Sequence, residues 1–221
     1  MTKKAPPTRS KQIRIIIADD HPVVREGLGA LINYQKDMKV VSEAANGRQA
    51  VQQFFLHRPD VILLDLRMPE MDGIGATRAI LGRAPRAKII VLSTYKGDED
   101  VYQALKAGAK AYLLKDSSRT ELLNSIRSVY GGQVNVSPPV SAQLVAGLVR
   151  ERLTNRELEI MRQVVAGKSN KEIGSLLHVT EGTIKVHIGR ILKKLGAHGR
   201  TEAIRMALER GMVHLNQEYE I

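Results

Sequence analysis

Three aspartates follow two apolar runs of the sequence. Asp19 and Asp20 come directly after Ile13–Ala18, and Asp65 falls near the end of Val61–Leu66. If these runs are neighbouring parallel strands, their carboxyl ends meet at one edge of a sheet and the three carboxylates converge. Such a group repels itself unless a cation joins it, and oxygen ligands favour Mg²⁺. The spacing therefore predicts a magnesium site.

Two further polar side chains end the next apolar runs. Ser93 closes the run Lys88–Ser93, and Lys115 follows Ala111–Leu114. A hydroxyl and an ammonium at the same sheet edge could surround the oxygens of a phosphoryl group. Asp65 could then act as the nucleophile that accepts this group, with a bound metal offsetting the developing charge. Phosphoryl transfer is the chemistry that these residue types predict.

Each of these residues also has an ordinary structural explanation. Asp20 could cap a helix that begins near Pro22. Asp65 could form an Asx-turn before Pro69, and Lys115 could be a surface lysine. Taken singly, these explanations stay open. Taken together, they would have to account for every polar residue at the strand ends of one domain, and the phosphoryl site explains them with one function.

The elements that would position these side chains are strands alternating with helices. The apolar runs, with a further one at Lys39–Ala44, contain consecutive Val, Ile and Leu, which is typical of strands buried on both faces. Amphipathic stretches lie between them, at Pro22–Tyr34, Gly47–His57, Asp72–Leu81, Asp98–Ala107 and Arg119–Tyr130. Five βα units predict an α/β domain with a doubly wound, five-stranded parallel sheet, flavodoxin-like with strand order 2-1-3-4-5.

Several blocks of this domain resemble the receiver domains of two-component systems. The blocks are Ile17-Ala18-Asp19-Asp20-His21, Leu64-Asp65-Leu66-Arg67-Met68-Pro69 with Asp72-Gly73, Val91-Leu92-Ser93, and Gly108-Ala109 with Tyr112-Leu113-Leu114-Lys115. The spacing between the blocks fits the family as well as the blocks themselves do. Asp116 stands where many receivers have proline, which is one departure from the pattern.

The resemblance implies a role for each residue of these blocks. Asp65 is expected to be the phosphoacceptor. Asp20, Asp19, Asp65 and the backbone carbonyl of Arg67 are expected to hold Mg²⁺. Ser93 and Tyr112 are expected to be switch residues, and Lys115 to pair with the phosphate. Tyr112 could instead be a tyrosine at the edge of the core.

The remaining sequence divides into segments of different composition. We predict a disordered basic arm at 1–11, the receiver domain at 12–132 and a linker at 133–152. A DNA-binding domain is predicted at 153–215 and a loose tail at 216–221. The second domain is expected to be all-α with four helices. Capping boxes begin at Thr154 and Ser169, Thr180 can cap the third helix, and the last spans about Thr201–Glu209.

The tight segment His178-Val179-Thr180 joins the second and third of these helices, as in a helix-turn-helix. Helical spacing places Ile184, Ile188, Ile191 and Leu195 on the buried side of the third helix. Lys185 and Val186 can then reach base edges, and flanking residues can reach phosphates. The candidate DNA contacts are Lys171, Thr183, Lys185, Val186, His187, Gly189, Arg190, Lys193 and Lys194.

The C-terminal segment resembles the LuxR-type DNA-binding domain. The blocks that carry the resemblance are Leu153-Thr154-Asn155-Arg156-Glu157, Gly167-Lys168-Ser169-Asn170-Lys171-Glu172-Ile173 and Thr180-Glu181-Gly182-Thr183-Ile184-Lys185-Val186-His187. Joined to a receiver, it makes residues 12–213 similar to the NarL/FixJ subfamily of response regulators. The resemblance implies a transcription factor with a sensor histidine kinase and double-stranded DNA as partners. A four-helix bundle with a solvated basic face is the alternative.

Composition restricts the function classes. The formal net charge is +11, and residues 150–215 carry 13 basic against 7 acidic side chains, which suggests a polyanionic partner. The absence of cysteine excludes disulfides and thiol catalysis. No apolar run approaches the ~20 residues of a membrane span, so no membrane partner and a cytoplasmic location are expected.

A homodimer on DNA or on phosphorylation is also expected. The last helix could form the interface of this dimer, or it could instead close the helical bundle.

Three other functions fit the sequence less well. An aspartate-nucleophile phosphohydrolase is expected to place a second aspartate two residues after the nucleophile, where this chain has Arg67. We therefore do not expect a turnover enzyme acting on a separate substrate. A ligand-sensing LuxR-type regulator would need a small-molecule pocket in place of the phosphoryl site. A receiver that signals without phosphate would not need the complete set of acids.

Overall fold

A computed structural model of the chain describes residues 12–94, 97–136, 141, 145 and 151–213. The contacts divide the chain into two compact units, one made of 1–94 with 104–137 and the other of 95–103 with 138–221. The predicted arm, the tail and most of the predicted linker lie outside the described residues. Segment 95–103 groups with the second unit, whereas the sequence analysis assigned it to the first domain. The exact domain limits stay a prediction.

Parallel strands of the first unit form one sheet. They are β1 (Ile13–Ala18), β2 (Met38–Ala44), β3 (Val61–Asp65), β4 (Ile89–Ser93), β5 (Ala111–Leu114) and β6 (Asn135–Val136). Their order is β2-β1-β3-β4-β5-β6, and every neighbouring pair is parallel. The predicted fold class and the order 2-1-3-4-5 are therefore confirmed. The two-residue β6 extends the sheet into a segment that the sequence analysis placed in the linker.

Helices connect the strands, at α1 (Pro22–Asn33), α2 (Gly47–His57), α3 (Gly73–Arg83), α4 (Asp98–Lys106) and α5 (Arg119–Tyr130). Successive strand residues point to opposite faces of a sheet. Accordingly, Ile15 and Leu63 belong to one buried apolar cluster, whereas their neighbours Ile16 and Leu64 belong to another. Both faces of the sheet are covered, which explains why the strands read as continuous apolar runs rather than alternating ones.

The second unit contains α6 (Asn155–Val165), α7 (Asn170–Leu176), α8 (Glu181–Leu195) and α9 (Arg200–Glu209). The predicted start signals are confirmed, because Thr154 and Ser169 each form a complete capping box and Thr180 accepts a hydrogen bond from the Thr183 N–H. Gly196 ends α8 at φ +71, a left-handed conformation that glycine adopts without strain. Capping residues in the sequence thus predict where α6, α7 and α8 begin, whereas α9 begins at Arg200, without a side-chain cap and one residue before the predicted start.

The turn between α7 and α8 is tight. A Cβ atom on Gly174 would lie 2.8 Å from the carbonyl oxygen of Val179, so this position accepts only glycine without a backbone shift. On α8, Ile184, Ile191 and Leu195 are buried in the core of the unit, and Ile188 packs against it. The predicted buried side of this helix is therefore confirmed, and its other side is left toward solvent.

Candidate phosphoryl site and nucleic-acid interface

The sheet brings the predicted carboxylates together. Strands β1 and β3 are neighbours with Ala18 opposite Leu64, so the residues that follow them emerge side by side. One ligand atom each from Asp19, Asp20, His21 and Asp65 lies within 4.8 Å of the others. Asp19 and Asp65 are buried, with 1% and 4% of their surface exposed. The convergence expected from strand order is present.

Lys115 completes this cluster from the end of β5. Its Nζ lies 2.6 Å from Oδ2 of Asp19 and 3.0 Å from Oδ1 of Asp65, and only 15% of its side chain is exposed. One ammonium therefore bridges carboxylates that come from two different strands. An ordinary surface lysine does not fit this position.

Ser93 and Tyr112 lie on the adjacent strands β4 and β5. Both residues are completely buried, and Ser93 stands opposite Leu114 in the strand register. The backbone N–H of Lys115 donates a 2.7 Å hydrogen bond to the Ser93 carbonyl, which ties the lysine to the end of β4. The buried position of Tyr112 fits both a switch residue and the alternative of a tyrosine that belongs to the core. A switching role for either residue stays a prediction.

Burial and neighbouring charges shift the pKa values of Asp65 and Lys115, the two central groups of the site. Burial raises the pKa of Asp65 to about 6, because the attraction of Lys115 only partly offsets the loss of solvation and Asp19 adds repulsion. For Lys115, burial disfavours the ammonium, but the close contact of its Nζ with Oδ2 of Asp19, at 2.6 Å, and the attraction of Asp65 outweigh burial and raise the pKa of Lys115. Lys115 therefore keeps its proton, whereas Asp65 is mostly ionised at neutral pH and becomes protonated as the pH falls through about 6.

The donor set fits a hard divalent cation. Oδ2 of Asp19 and Oδ1 of Asp20 are buried and accept no well-aligned hydrogen bond from the described residues, although Lys115 and His21 lie close to them. Three carboxylates beside one ammonium leave an excess of negative charge that a divalent ion would neutralise. The helix-cap explanation for Asp20 is wrong, because α1 begins at His21 as its N-cap, without any side-chain capping bond.

The loop after β3 carries Arg67, whose carbonyl is the further predicted metal ligand. The Gly73 N–H donates to the Leu66 carbonyl at 3.0 Å, and the Gly47 N–H donates to the Met71 carbonyl at 3.0 Å. The side chain of Asn46 also donates to Glu70 at 2.8 Å. These hydrogen bonds join the loop to the residues at the beginning of α2 and α3. The position of the Arg67 carbonyl as a ligand stays a prediction.

His21 is a member of the cluster that the sequence analysis missed. Its Nδ1 lies 2.7 Å from Oδ1 of Asp20 and 3.3 Å from Oδ1 of Asp19. The signal was present in the sequence, because His21 directly follows the two aspartates. An imidazole is not a ligand that Mg²⁺ prefers, so the magnesium chemistry of the aspartates does not by itself include this residue.

The candidate DNA-contacting residues are mostly on the exposed side of α7 and α8. Seven of them are exposed: Lys171, Thr183, Lys185, Val186, Gly189, Arg190 and Lys193. Val186 has 56% of its surface in solvent. Lys185 forms an exposed 3.2 Å ion pair with Glu181, and His187 is half-buried. These positions are available to a nucleic acid.

Lys194 has another role in the structure. Its Nζ lies 2.8 Å from Oε2 of Glu157 and 3.2 Å from the carbonyl of Arg152, and 16% of its side chain is exposed. An ammonium held in this way inside the unit is not presented to a phosphate. We therefore correct the prediction for this residue and leave Lys194 out of the DNA-contacting set. Helical spacing alone had placed it on the flank of α8.

Comparison with known proteins agrees with both halves of the chain. The family described as the response regulator receiver domain matches residues 15–127, and that of the bacterial regulatory proteins of the luxR family matches 151–207. The transcriptional regulatory protein LiaR of Bacillus subtilis is 41% identical over 86% of this chain and 94% of its own. The response regulator protein VraR of Staphylococcus epidermidis is 35% identical over 91% and 99%.

A solved structure is similar to this chain over most of its length. The crystal structure of response regulator ChrA from a heme-sensing two-component system is 34% identical, with a TM-score of 0.56 over 91% of this chain and 98% of that one. The resemblance noted from sequence motifs is thus supported along nearly the full length. Among the described residues, no helix has the length and apolar character needed to cross a bilayer.

Proposed function

Because the chain belongs to the response regulators that join a receiver domain to a LuxR-type DNA-binding domain, we propose that Asp65 accepts a phosphoryl group and that α8 reads duplex DNA. The observation that carries the first half is the bridge from Lys115 to Asp19 and Asp65, at 2.6 and 3.0 Å. A buried nucleophile, a second acid and a cation at one sheet edge form a phosphoryl site.

Magnesium is the proposed cofactor of this site. Asp19, Asp20 and Asp65 would hold the ion, together with the backbone carbonyl of Arg67. When bound, Mg²⁺ neutralises charge on the oxygens of the transferred phosphoryl group. The fit is supported by buried carboxylate oxygens that lack well-aligned hydrogen-bond donors among the described residues.

The side chains of the chain itself account for the transfer. A carboxylate oxygen of Asp65 attacks the phosphorus of a phosphohistidine on the sensor kinase, the P–N bond breaks, and an acyl phosphate forms on Asp65. Lys115 is placed to pair with an oxygen of that group, since its ammonium already contacts Asp65. Ser93 at the end of β4 is the hydroxyl that would meet another oxygen. Ser93 and Tyr112 would then change position in response to the added negative charge.

The second half of the proposal concerns transcription control. Lys185 and Val186 are exposed on α8 and would reach base edges in the major groove. Lys171, Thr183, His187 and Arg190 would contact phosphates, Lys193 would add a contact from the face that carries Lys185, and Gly189 would allow close approach of the helix backbone. A homodimer would double the number of such helices on two half-sites. The proposed DNA partner supports a cytoplasmic location.

We do not propose turnover on a separate substrate. Arg67 occupies the position where an aspartate-nucleophile hydrolase is expected to carry its general acid. The acyl phosphate on Asp65 would therefore act as a signal rather than as an intermediate of catalysis. The two roles differ in the rate at which the phosphorylated chain releases inorganic phosphate. Release is slow for a signal and fast for an intermediate of catalysis.

Labelling by a small phosphodonor tests the proposed phosphoacceptor. The full chain, treated with acetyl phosphate and Mg²⁺, should gain one phosphoryl group by intact-mass analysis. Asp65→Asn should gain none, whereas Asp116→Asn, which changes an exposed acid close to the site, should be labelled like the wild type. Persistent labelling of Asp65→Asn would refute the assignment.

A further inference from the structure

The geometry points to His21 as a nitrogen ligand that makes the carboxylate pocket a site for first-row divalent transition ions as well as Mg²⁺. We propose this role on the basis of the same pocket, so the inference rests on the proposed magnesium site. It adds one ligand and a metal preference that the receiver-like acids alone do not supply.

The distances are those of neighbouring ligands of one ion. Two ligand atoms that bind an ion at ~2.1 Å and at a right angle lie about 3 Å apart. Nδ1 of His21 lies 2.7 Å from Oδ1 of Asp20 and 3.3 Å from Oδ1 of Asp19. The atoms of these three residues and of Asp65 all lie within 4.8 Å of one another. The imidazole therefore needs no large movement to share a metal with the carboxylates.

The backbone fixes His21 in this place. Its N–H donates to Oδ1 of Asp19 at 2.9 Å, and Pro22 restricts the conformation of the residue before it. The side chain of His21 is 68% exposed, so the ring can turn without disturbing the core. Oδ1 of Asp20 is buried and accepts no well-aligned hydrogen bond among the described residues, so the contact with His21 leaves that oxygen available to a cation.

The type of ligand decides which ions bind more tightly. Mg²⁺ prefers oxygen ligands and keeps several waters, so an added imidazole contributes little to its binding. Ions such as Ni²⁺ bind imidazole well and stand above Mn²⁺ in the general order of affinity. A pocket of three carboxylates and one imidazole should therefore select the transition ion when both are present at equal concentration.

A purely structural role for His21 makes a different prediction. If the imidazole only donated a hydrogen bond that orients Asp20, its loss would weaken the binding of every divalent ion by a similar factor. The comparison of two ions in one variant therefore separates the ligand role from the positioning role.

Calorimetric titration of the full chain with Ni²⁺ and with Mg²⁺ makes this comparison. His21→Ala should lower Ni²⁺ affinity by about 10- to 100-fold, the range typical of changes around a metal site, and Mg²⁺ affinity by less than about threefold. His57→Ala removes a histidine at the end of α2 and should change neither. Parallel losses for both ions, or an unchanged Ni²⁺ affinity, would overturn the proposal.

A spectroscopic measurement reports the ligand directly. Pulsed electron paramagnetic resonance of bound Mn²⁺ should show nitrogen-14 modulation in the wild type and in His57→Ala, and none in His21→Ala. Absence of nitrogen modulation in the wild type would exclude His21 as a ligand.

Failure of this inference can be told apart from failure of the proposed function. A wild type that is labelled on Asp65 with Mg²⁺ but whose Ni²⁺ affinity is independent of His21 is a response regulator without the nitrogen ligand. A wild type that is not labelled at all removes the proposed phosphoacceptor.

Discussion

Lys194 on α8 and Glu157 on α6 form an ion pair inside the second unit, with Nζ 2.8 Å from Oε2. Glu157 also accepts a 2.8 Å hydrogen bond from the Thr154 N–H. Burial favours the neutral acid, but the bonds from Lys194 and Thr154 outweigh it and lower the pKa of Glu157. The ion pair therefore links the proposed DNA-reading helix to the first turn of α6.

Loss of this anchor should destabilise the second unit. We expect Lys194→Ala to lower the free energy of unfolding by about 2 kcal/mol, because Glu157 then remains buried without its cation. The expected loss is smaller than for a fully buried ion pair because the lysine is partly exposed. Urea unfolding followed by circular dichroism measures the change. Faster hydrogen exchange in α6 and α8 would assign it to this unit.

The neighbouring lysine is the matched control for that experiment. Lys193 is exposed, so Lys193→Ala should change the free energy of unfolding by less than about 0.5 kcal/mol. It should instead reduce the salt dependence of DNA binding. Equal effects of the two substitutions on stability would contradict the role that we assign to the ion pair.

Protonation of Asp65 should stabilise the first unit when no divalent ion is present. Its pKa is raised from 3.8 to about 6, so the folded chain is penalised while this carboxyl is ionised. Stability should rise by up to about 3 kcal/mol as the pH falls from 7.5 through 6 toward 4. Asp65→Asn should show that gain already at pH 7.5 and lose the pH dependence.

Unfolding in urea with a chelator, at pH 7.5 and at pH 5.0, measures this effect. Asp116→Asn is the control, and it should keep the pH dependence of the wild type. A wild type whose stability does not change between these pH values would mean that Asp65 ionises with an ordinary pKa.

Removal of the Lys115 ammonium should strengthen metal binding. The ammonium lies among the carboxylates proposed to hold Mg²⁺, and like charges repel across short distances. We expect Lys115→Met to raise Mg²⁺ affinity by about tenfold in calorimetric titration. Lys39→Met, at an exposed position of β2, should leave the affinity unchanged. An unchanged Mg²⁺ affinity in Lys115→Met would show that the ammonium does not repel the bound ion, and a lower affinity would show that it supports binding; either result would contradict the prediction.

Replacement of Lys185 should weaken binding to DNA. The ion pair of Lys185 with Glu181 is exposed and therefore costs little to break when a nucleic acid approaches. We expect Lys185→Ala to cost about 1–3 kcal/mol on a DNA site selected in vitro. Arg205→Ala, at an exposed position of α9, is the control at matched salt. Equal affinity of Lys185→Ala and wild type would remove Lys185 from the interface.

Much of the fold could be predicted because its signals are local. Continuous runs such as Val61–Asp65 indicated strands covered on both faces, and capping residues such as Thr154 and Ser169 marked helix starts. The convergence of Asp19, Asp20 and Asp65 followed from strand order. These inferences need only the period of a strand and the side-chain chemistry of a helix cap.

The errors came from contacts between residues distant in sequence. Lys194 pairs with Glu157, which lies 37 residues earlier, and helical spacing on α8 contains no information about that partner. β6 depends on a ladder with β5 and has only two residues of its own. His21 was missed for a different reason, since only the three-dimensional arrangement shows its ring beside two carboxylates.

The sixth strand has a consequence for how a signal could leave the receiver. In the ladder of β5 and β6, Tyr112 stands opposite Val136. The chain toward the DNA-binding helices therefore starts at a residue held by backbone hydrogen bonds to the strand of the proposed switch tyrosine. A rearrangement of β5 would therefore also change the backbone ladder that holds Val136, the last residue of the sheet.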